Sequence, residues 1–237
     1  MELIRENWDT KSITRLEDYL QNLSRPEKEK WTRNILRTSL PLLAIESPTI
    51  KKIAQPIHKG NYKSFYENCN FSTYDMTTIF GYLLNLEKDF SSLKHYLSIY
   101  IPHVDCWASC DILKFNTKYF EEELFSLTQE YIKSSNTFTR RIGLKIMFAY
   151  TNNYKYTQQI LHTLNSFYNE KEYYVNMIVA WLFCEMFIKQ RESTLKFLES
   201  HKLNNFTINK GIQKCRDSFR VSNEDKEMLL KYKKYLD

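Results

Sequence analysis

The chain has 237 residues, 43% of them hydrophobic and 15% aromatic, which is ample for a buried core. Only four glycines and five prolines argue against a many-turned β-fold or a glycine-rich nucleotide-binding fold, and for helices joined by short polar turns. Thirty-four basic against 28 acidic residues give a net charge of +6, which permits a nucleic-acid partner without requiring one. The five cysteines, at 69, 106, 110, 184 and 215, make no paired framework and read as reduced, mostly buried, intracellular thiols. The N-terminus is charged and lacks an apolar signal core. No apolar run reaches the roughly 18 residues that a membrane helix needs. A cytoplasmic protein without membrane association is expected.

Along the chain, Thr10 or Ser12 is positioned to cap a helix over 10–23, with Ile13, Leu16, Tyr19, Leu20 and Leu23 on one face. Pro26 fits the first turn of the next helix, through Trp31, Ile35 and Leu36. Residues 38–47 read as irregular. Ser47-Pro48 opens a helix with Ile50, Ile53, Ala54 and Ile57 as its stripe and Lys51, Lys52 and Lys59 on its other faces. A short helix follows over 62–68. Ser72 or Thr73 caps a run with Met76, Ile79, Phe80, Leu83 and Leu84, and Phe90, Leu93, Leu97 and Ile99 mark another. Further helices are predicted over 104–114, 118–132, 137–151, 153–167, 171–188, 191–200, 205–219 and 222–236. Nothing alternates long enough to make a sheet. The helices fall into successive pairs of roughly 35–40 residues, close to the period of HEAT-type repeats. The pairing carries this inference, because no sequence motif repeats. The expected fold is all-α: one domain, 1–237, built as a curved solenoid whose concave side is the usual ligand surface.

The stretch His103-Val-Asp-Cys-Trp-Ala-Ser-Cys-Asp111 organises the functional reading. Asp111 lies four residues after Trp107, one turn along the same helix face. An aromatic ring beside a carboxylate suits a cation or an electron-poor sugar. Taken alone, the spacing favours a helix-surface Asp beside a core-packed Trp. Trp181 sits in a second apolar helical run, where a core role is the ordinary reading. Arg140-Arg141 reads as a solvated face or, through the guanidinium fork, as a phosphate contact. Asp105 is placed to cap the central helix. His103, Cys106 and Cys110 have spacings that could share a metal, but three ligands on one helix with no fourth make a weak zinc signal. The C-terminal stretch from Thr207 through Lys214, Arg216 and Arg220 to Lys234 is basic and amphipathic. It reads as a capping repeat or as a phosphate-tracking edge. Tyr62, Tyr66 and Tyr74 are candidates to line a groove.

In four places, in order, the chain resembles the bacterial AlkD-like DNA alkylation repair family, which are HEAT-like repeat alkylpurine DNA glycosylases. These are Ala44-Ile-Glu-Ser-Pro48 followed by Ile50-Lys-Lys-Ile-Ala54, then Trp107-Ala-Ser-Cys-Asp111 (the family's W-x-x-x-D), Phe138-Thr-Arg-Arg141-Ile-Gly143, and Val179-Ala-Trp181-Leu-Phe-Cys-Glu185. The resemblance covers roughly residues 40–190. It implies hydrolysis of the glycosidic bond of cationic N3- and N7-methylpurines in double-stranded DNA, without base flipping and without metal or organic cofactor. A monomer is expected. On the same resemblance Asp111 is the catalytic carboxylate, Trp107 and Trp181 lie against the deoxyribose and backbone, and Arg141, or else Arg140, holds a phosphate. Trp107, Asp111 and Trp181 are then expected to converge on one concave, basic surface, to which Lys51 and Lys52 add charge. The chain departs from the family at Ala44-Ile-Glu46, where the pattern is Gly-Val-Arg, at Met177 for Lys, and at Cys184 for Arg. Those lost cations define a second reading, a catalytically inactive HEAT-repeat DNA-binding protein. A third is a protein-interaction scaffold.

Overall fold

The structure, a computed structural model, describes residues 1–234. Among them the chain is all-helical, with fourteen α-helices and five short 3-10 turns and no strand. The sequence reading has one domain. The fold divides into two compact units, Met1–Glu123 and Leu124–Asp237.

The first unit holds α1 (Thr10–Gln21), α2 (Pro26–Leu36), α3 (Ser47–Lys59), α4 (Tyr62–Asn68), α5 (Tyr74–Leu84), α6 (Phe90–Tyr100) and α7 (Trp107–Asp111). At its centre is α5, buried on nearly every face and packed on α3, α6 and α7. The N-terminal segment lies across the turn after α3, where a Cβ on Gly60 would stand 2.4 Å from the Arg5 carbonyl oxygen. That close approach explains the glycine. It also brings Trp8 into the core, where its ring meets Phe65 edge-on at 5.4 Å.

The second unit carries most of α8 (Glu121–Tyr131), then α9 (Thr137–Met147), α10 (Thr157–Ser166), α11 (Tyr173–Lys189), α12 (Arg191–Ser200), α13 (Asn205–Asp217) and α14 (Asn223–Leu229). Here α11 is the axis. It is apolar almost all round, as a largely enclosed helix is, and packs on α9, α10, α12 and α13. Gly211 lets α13 approach closely, because a Cβ there would sit 2.7 Å from Phe183 Cδ1.

Three sequence expectations need correction. The cap of α1 is Asp9, with Thr10 and Ser12 inside the helix: Asp9 Oδ1 accepts from Ser12 N at 2.8 Å and Ser12 Oγ accepts from Asp9 N at 2.7 Å. This is a reciprocal capping box. Second, the helix expected over 104–114 shrinks to Trp107–Asp111, behind a 3-10 turn at Ile101–His103. Its N-cap is Cys106, with no side-chain cap, because Asp105 bonds elsewhere. Third, several long expected helices end in 3-10 turns, as at Phe148–Tyr150 and Leu230–Tyr232. Of the helix expected over 222–236, the final two positions lie outside the described residues.

The irregular segment 37–46 has a physical cause. Arg37 ends α2 in the left-handed region at φ 60°, and Ala44 stands there too, at φ 56°. For alanine that conformation costs roughly 1–2 kcal/mol. Burying its methyl group against Leu36, Leu42, Cys106 and Ala108 offsets about 0.8 kcal/mol of this. The rest comes from Asp75, whose buried carboxylate accepts from Leu43 N at 2.8 Å and Ile45 N at 3.1 Å. Burial raises the Asp75 pKa against the lowering effect of those two N–H groups.

Asp75→Asn keeps one acceptor and aims an NH2 at the other backbone N–H. It is expected to destabilise the protein by roughly 1–3 kcal/mol, read as a lower urea midpoint. A raised folded pKa means that stability falls as pH rises from 3.8 through the folded value. That component should vanish in the variant. An unchanged midpoint would contradict the role given to Asp75.

Candidate functional site

The Trp107–Asp111 face starts at the end of α2. The last carbonyls of a helix lack intrahelical partners. Trp107 Nε1 donates to one of them, Ile35 O, at 3.1 Å. The indole also packs with Tyr74 on the cluster of Leu36, Leu42, Ala44, Cys106 and Ala108. Its polar atom is thereby engaged and the ring is held, half-buried.

Asp105, the expected cap, instead receives the donors of the 38–40 loop. Thr38 Oγ1 (2.8 Å), Ser39 N (2.6 Å), Ser39 Oγ (2.8 Å) and Leu40 N (3.2 Å) all point at its carboxylate. From the other side Arg33 Nη1 donates to the Thr38 and Leu40 carbonyls at 3.0 and 3.1 Å. One carboxylate and one guanidinium thus fix the loop, and Trp107 begins its helix two residues after Asp105. Asp111, half-buried, closes the same short helix one turn later. A wide ring and a carboxylate therefore stand on one face, as the i, i+4 spacing predicts.

Trp181 is not core. It lies with Tyr174, Met177 and Glu185 on the one stripe of α11 that is not buried. Its ring centroid is 4.5 Å from that of Phe148. Lys145 Nζ sits 4.9 Å from the Trp181 centroid and 5.0 Å from that of Phe148. Two aromatic faces thus carry one ammonium group at the surface of the second unit. Sequence reading missed Lys145 and Phe148. Their signal was present, since Lys145 is four residues after Arg141 and outside the Ile142, Leu144, Ile146, Met147 stripe.

The two arginines are spent internally. Arg140 pairs with Glu170 at 3.0 and 3.1 Å and donates to the Ser134 and Ser135 carbonyls at 2.9 Å. Arg141 is buried, and its Nη1 donates to the Tyr174 carbonyl at 2.6 Å. Lys51 and Lys52 are exposed on α3. Glu46, the reversed charge, is held by Lys28 at 3.1 Å and by Arg25, and these two cations keep its carboxyl below the usual range. His103 stacks flat on Phe71 at 3.8 Å, while Cys106 Sγ faces Ser109 Oγ at 3.6 Å. Tyr66 is fully buried, Tyr62 stacks on His58, and Tyr74 packs beside Trp107.

These elements define an all-α protein with a tryptophan–carboxylate face on one unit and a cation-bearing aromatic patch on the other. The family model described as DNA alkylation repair enzyme matches residues 16–215, and the chain belongs to that family. No curated protein matches the chain. The family's description gives the chain a role in DNA alkylation repair. Among the described residues no helix is long and apolar enough to cross a membrane.

Asp105→Asn is expected to cost about 2 kcal/mol, since it removes charge-assisted bonds to the 38–40 loop. It should shift tryptophan emission by loosening Trp107. The shift should disappear when the same change is built on Trp107→Phe. Identical emission in wild type and Asp105→Asn would refute this coupling.

Proposed function

We propose that the protein is a DNA N-glycosylase that hydrolyses the bond between deoxyribose and a cationic alkylated purine, of the 3-methyladenine or 7-methylguanine type, in duplex DNA. The observation that carries this reading is the Trp107–Asp111 face of an alkylation repair family member. The indole N–H is already bonded to Ile35 O, so the ring offers a face and no donor. The carboxylate follows one turn on.

The chemistry asks for little more. A purine carrying a positive charge leaves as a neutral base, so the C1′–N bond breaks with its electron pair going to the base and no general acid is required. The sugar left behind is oxocarbenium-like. Asp111 stabilises that charge and orients the water whose oxygen bonds to C1′, accepting the proton that this water gives up. Trp107 places an aromatic face against the electron-poor sugar, a contact worth roughly 0.5–2 kcal/mol. Trp181, with Lys145 on its ring, suits a sugar–phosphate backbone: the ring packs on the sugar and the ammonium group is drawn to a phosphate. Lys51 and Lys52 supply exposed charge for other phosphates. Arg140 and Arg141 are better read as positioning groups for the residues that they bind, Glu170 and Tyr174.

A second reading, a HEAT-repeat protein that binds DNA without catalysis, draws on the same internal spending of charge at Glu46, Arg140 and Arg141. It predicts a salt-sensitive duplex affinity with no base release.

Single-turnover release of methylated bases from duplex DNA separates the two. Asp111→Asn should slow release by about 100-fold while leaving duplex affinity near that of wild type. Trp181→Ala should slow it by roughly 2- to 30-fold. An Asp111→Asn protein that releases base at the wild-type rate would end the assignment of Asp111.

A further inference from the structure

The second unit carries a surface that the repair chemistry does not use. Residues 202–234 hold nine Lys and Arg side chains against four Asp and Glu, so a net charge of +5 lies in one short stretch of a chain whose total is +6. Two of the four acids are engaged within the protein: Asp225 binds Arg191 at 2.6 Å, and Asp217, at the end of α13, accepts from Gln213 at 2.6 Å.

The face of α13 formed by Phe206, Lys210 and Gln213, at i, i+4 and i+7, walls a groove of about 730 Å³. Lys231, Lys233 and Lys234 form its other wall. Asn209 holds the walls together, its Nδ2 donating to Lys234 O at 2.6 Å and its Oδ1 accepting from Lys234 N at 2.9 Å. A second depression, of about 420 Å³, shares Phe206 with the first and adds Tyr168, Tyr173 and Lys171. Phe206 is therefore the common wall of two adjoining hollows. Lys210 Nζ lies 5.7 Å above its ring, and the Tyr173 ring is 6.1 Å away. Tyr168 and Tyr173 are 50% and 56% exposed, a large area of aromatic surface to leave in water.

The rings are held from behind. Asn176 Oδ1 accepts from Thr207 Oγ1 at 2.6 Å and from Asn204 Nδ2 at 3.2 Å, which fixes the start of α13 against the start of α11. The loop bearing Tyr168 is tied by Glu170 to Arg140, and that pairing also neutralises the acid in the second hollow.

We propose that this strip binds single-stranded nucleic acid, with unpaired bases stacked on Tyr173, Phe206 and Tyr168 and the lysines tracking the phosphates. A row of part-exposed rings flanked by ammonium groups matches the two requirements of strand binding: planar faces for bases and positive charge for the backbone. A duplex keeps its bases stacked inside and gives the rings nothing to bind. An acidic peptide or an anionic membrane would use the lysines and leave the rings idle. The proposal does not rest on Asp111 or on base release.

The test is fluorescence anisotropy with a short labelled single-stranded DNA, the same sequence as a duplex, and dextran sulfate as a base-free polyanion competitor. Wild type should bind the single strand. Tyr173→Ala should lose about fivefold or more of that affinity and keep its duplex affinity, with Tyr173→Phe restoring the loss. The double variant Lys231→Glu/Lys233→Glu should lose tenfold or more. Asp111→Asn should bind the single strand as wild type does. Unchanged urea midpoints will show that the exposed-site variants fold. The proposal is overturned if Tyr173→Ala leaves single-strand affinity unchanged, if duplex and single strand weaken alike in that variant, or if dextran sulfate competes as strongly as oligonucleotide of equal charge.

Discussion

The carboxylate of Asp105 is what the first unit's candidate site depends on. Residues 37–46 have no helix or sheet to satisfy their backbone, and an unpaired buried donor is costly. Asp105 takes donors from Thr38, Ser39 and Leu40, Arg33 takes two carbonyls, and Asp75 takes the N–H groups of Leu43 and Ile45. With those bonds made, the segment becomes a rigid saddle. Its apolar side receives the indole of Trp107, and the end of α2 receives the indole N–H. The placement of Trp107 thus follows from polar bonds made by residues outside the Trp107–Asp111 face.

The second unit solves a different problem. Its axis, α11, is apolar almost all round, so a few polar side chains must anchor it to its neighbours. Asn176 does so toward α13, and Arg141 ties α9 to the start of α11 through the Tyr174 carbonyl. Glu185 at the far end of the stripe is gripped by Arg220, with one bond at 3.1 Å. Between these anchors Trp181 stands beside Phe148 under a shared lysine. Charges that look like a solvated, anion-seeking face in the sequence are therefore partly the mortar of the fold.

Helix positions were legible because apolar spacing is a local property. The stripes of α3, α5 and α11 fall where the periodicity puts them, Pro26 opens α2 and Thr73 caps α5. What failed depended on partners distant in sequence. Asp105 has the look of a cap, yet its bonds run to residues 65 to 67 positions away. Nothing local announces that, and the helix over 104–114 was overextended for the same reason. Arg140 and Arg141 are adjacent and chemically alike, and only Glu170 and the Tyr174 carbonyl tell their roles apart. Ala44 stands at φ 56°, a conformation that favours glycine, the residue of the family pattern there. This departure was visible in the sequence, but its backbone meaning was not. At the candidate site, Trp107 with Asp111 could be read from i, i+4 spacing, whereas the Lys145–Phe148 partners of Trp181 required the fold.

The activity proposed for the protein is cleavage of the glycosidic bond of purines that already carry positive charge. The most direct measurement is chromatography of the bases that wild-type protein releases from methylated duplex DNA, beside a duplex carrying a neutral modified purine. On the proposed chemistry, release of 3-methyladenine or 7-methylguanine and none of the neutral base is expected, since the role proposed for Asp111 stabilises a sugar cation and gives no proton to a neutral leaving group. Binding of the methylated duplex with no base released, or equal release of the neutral base, would contradict it.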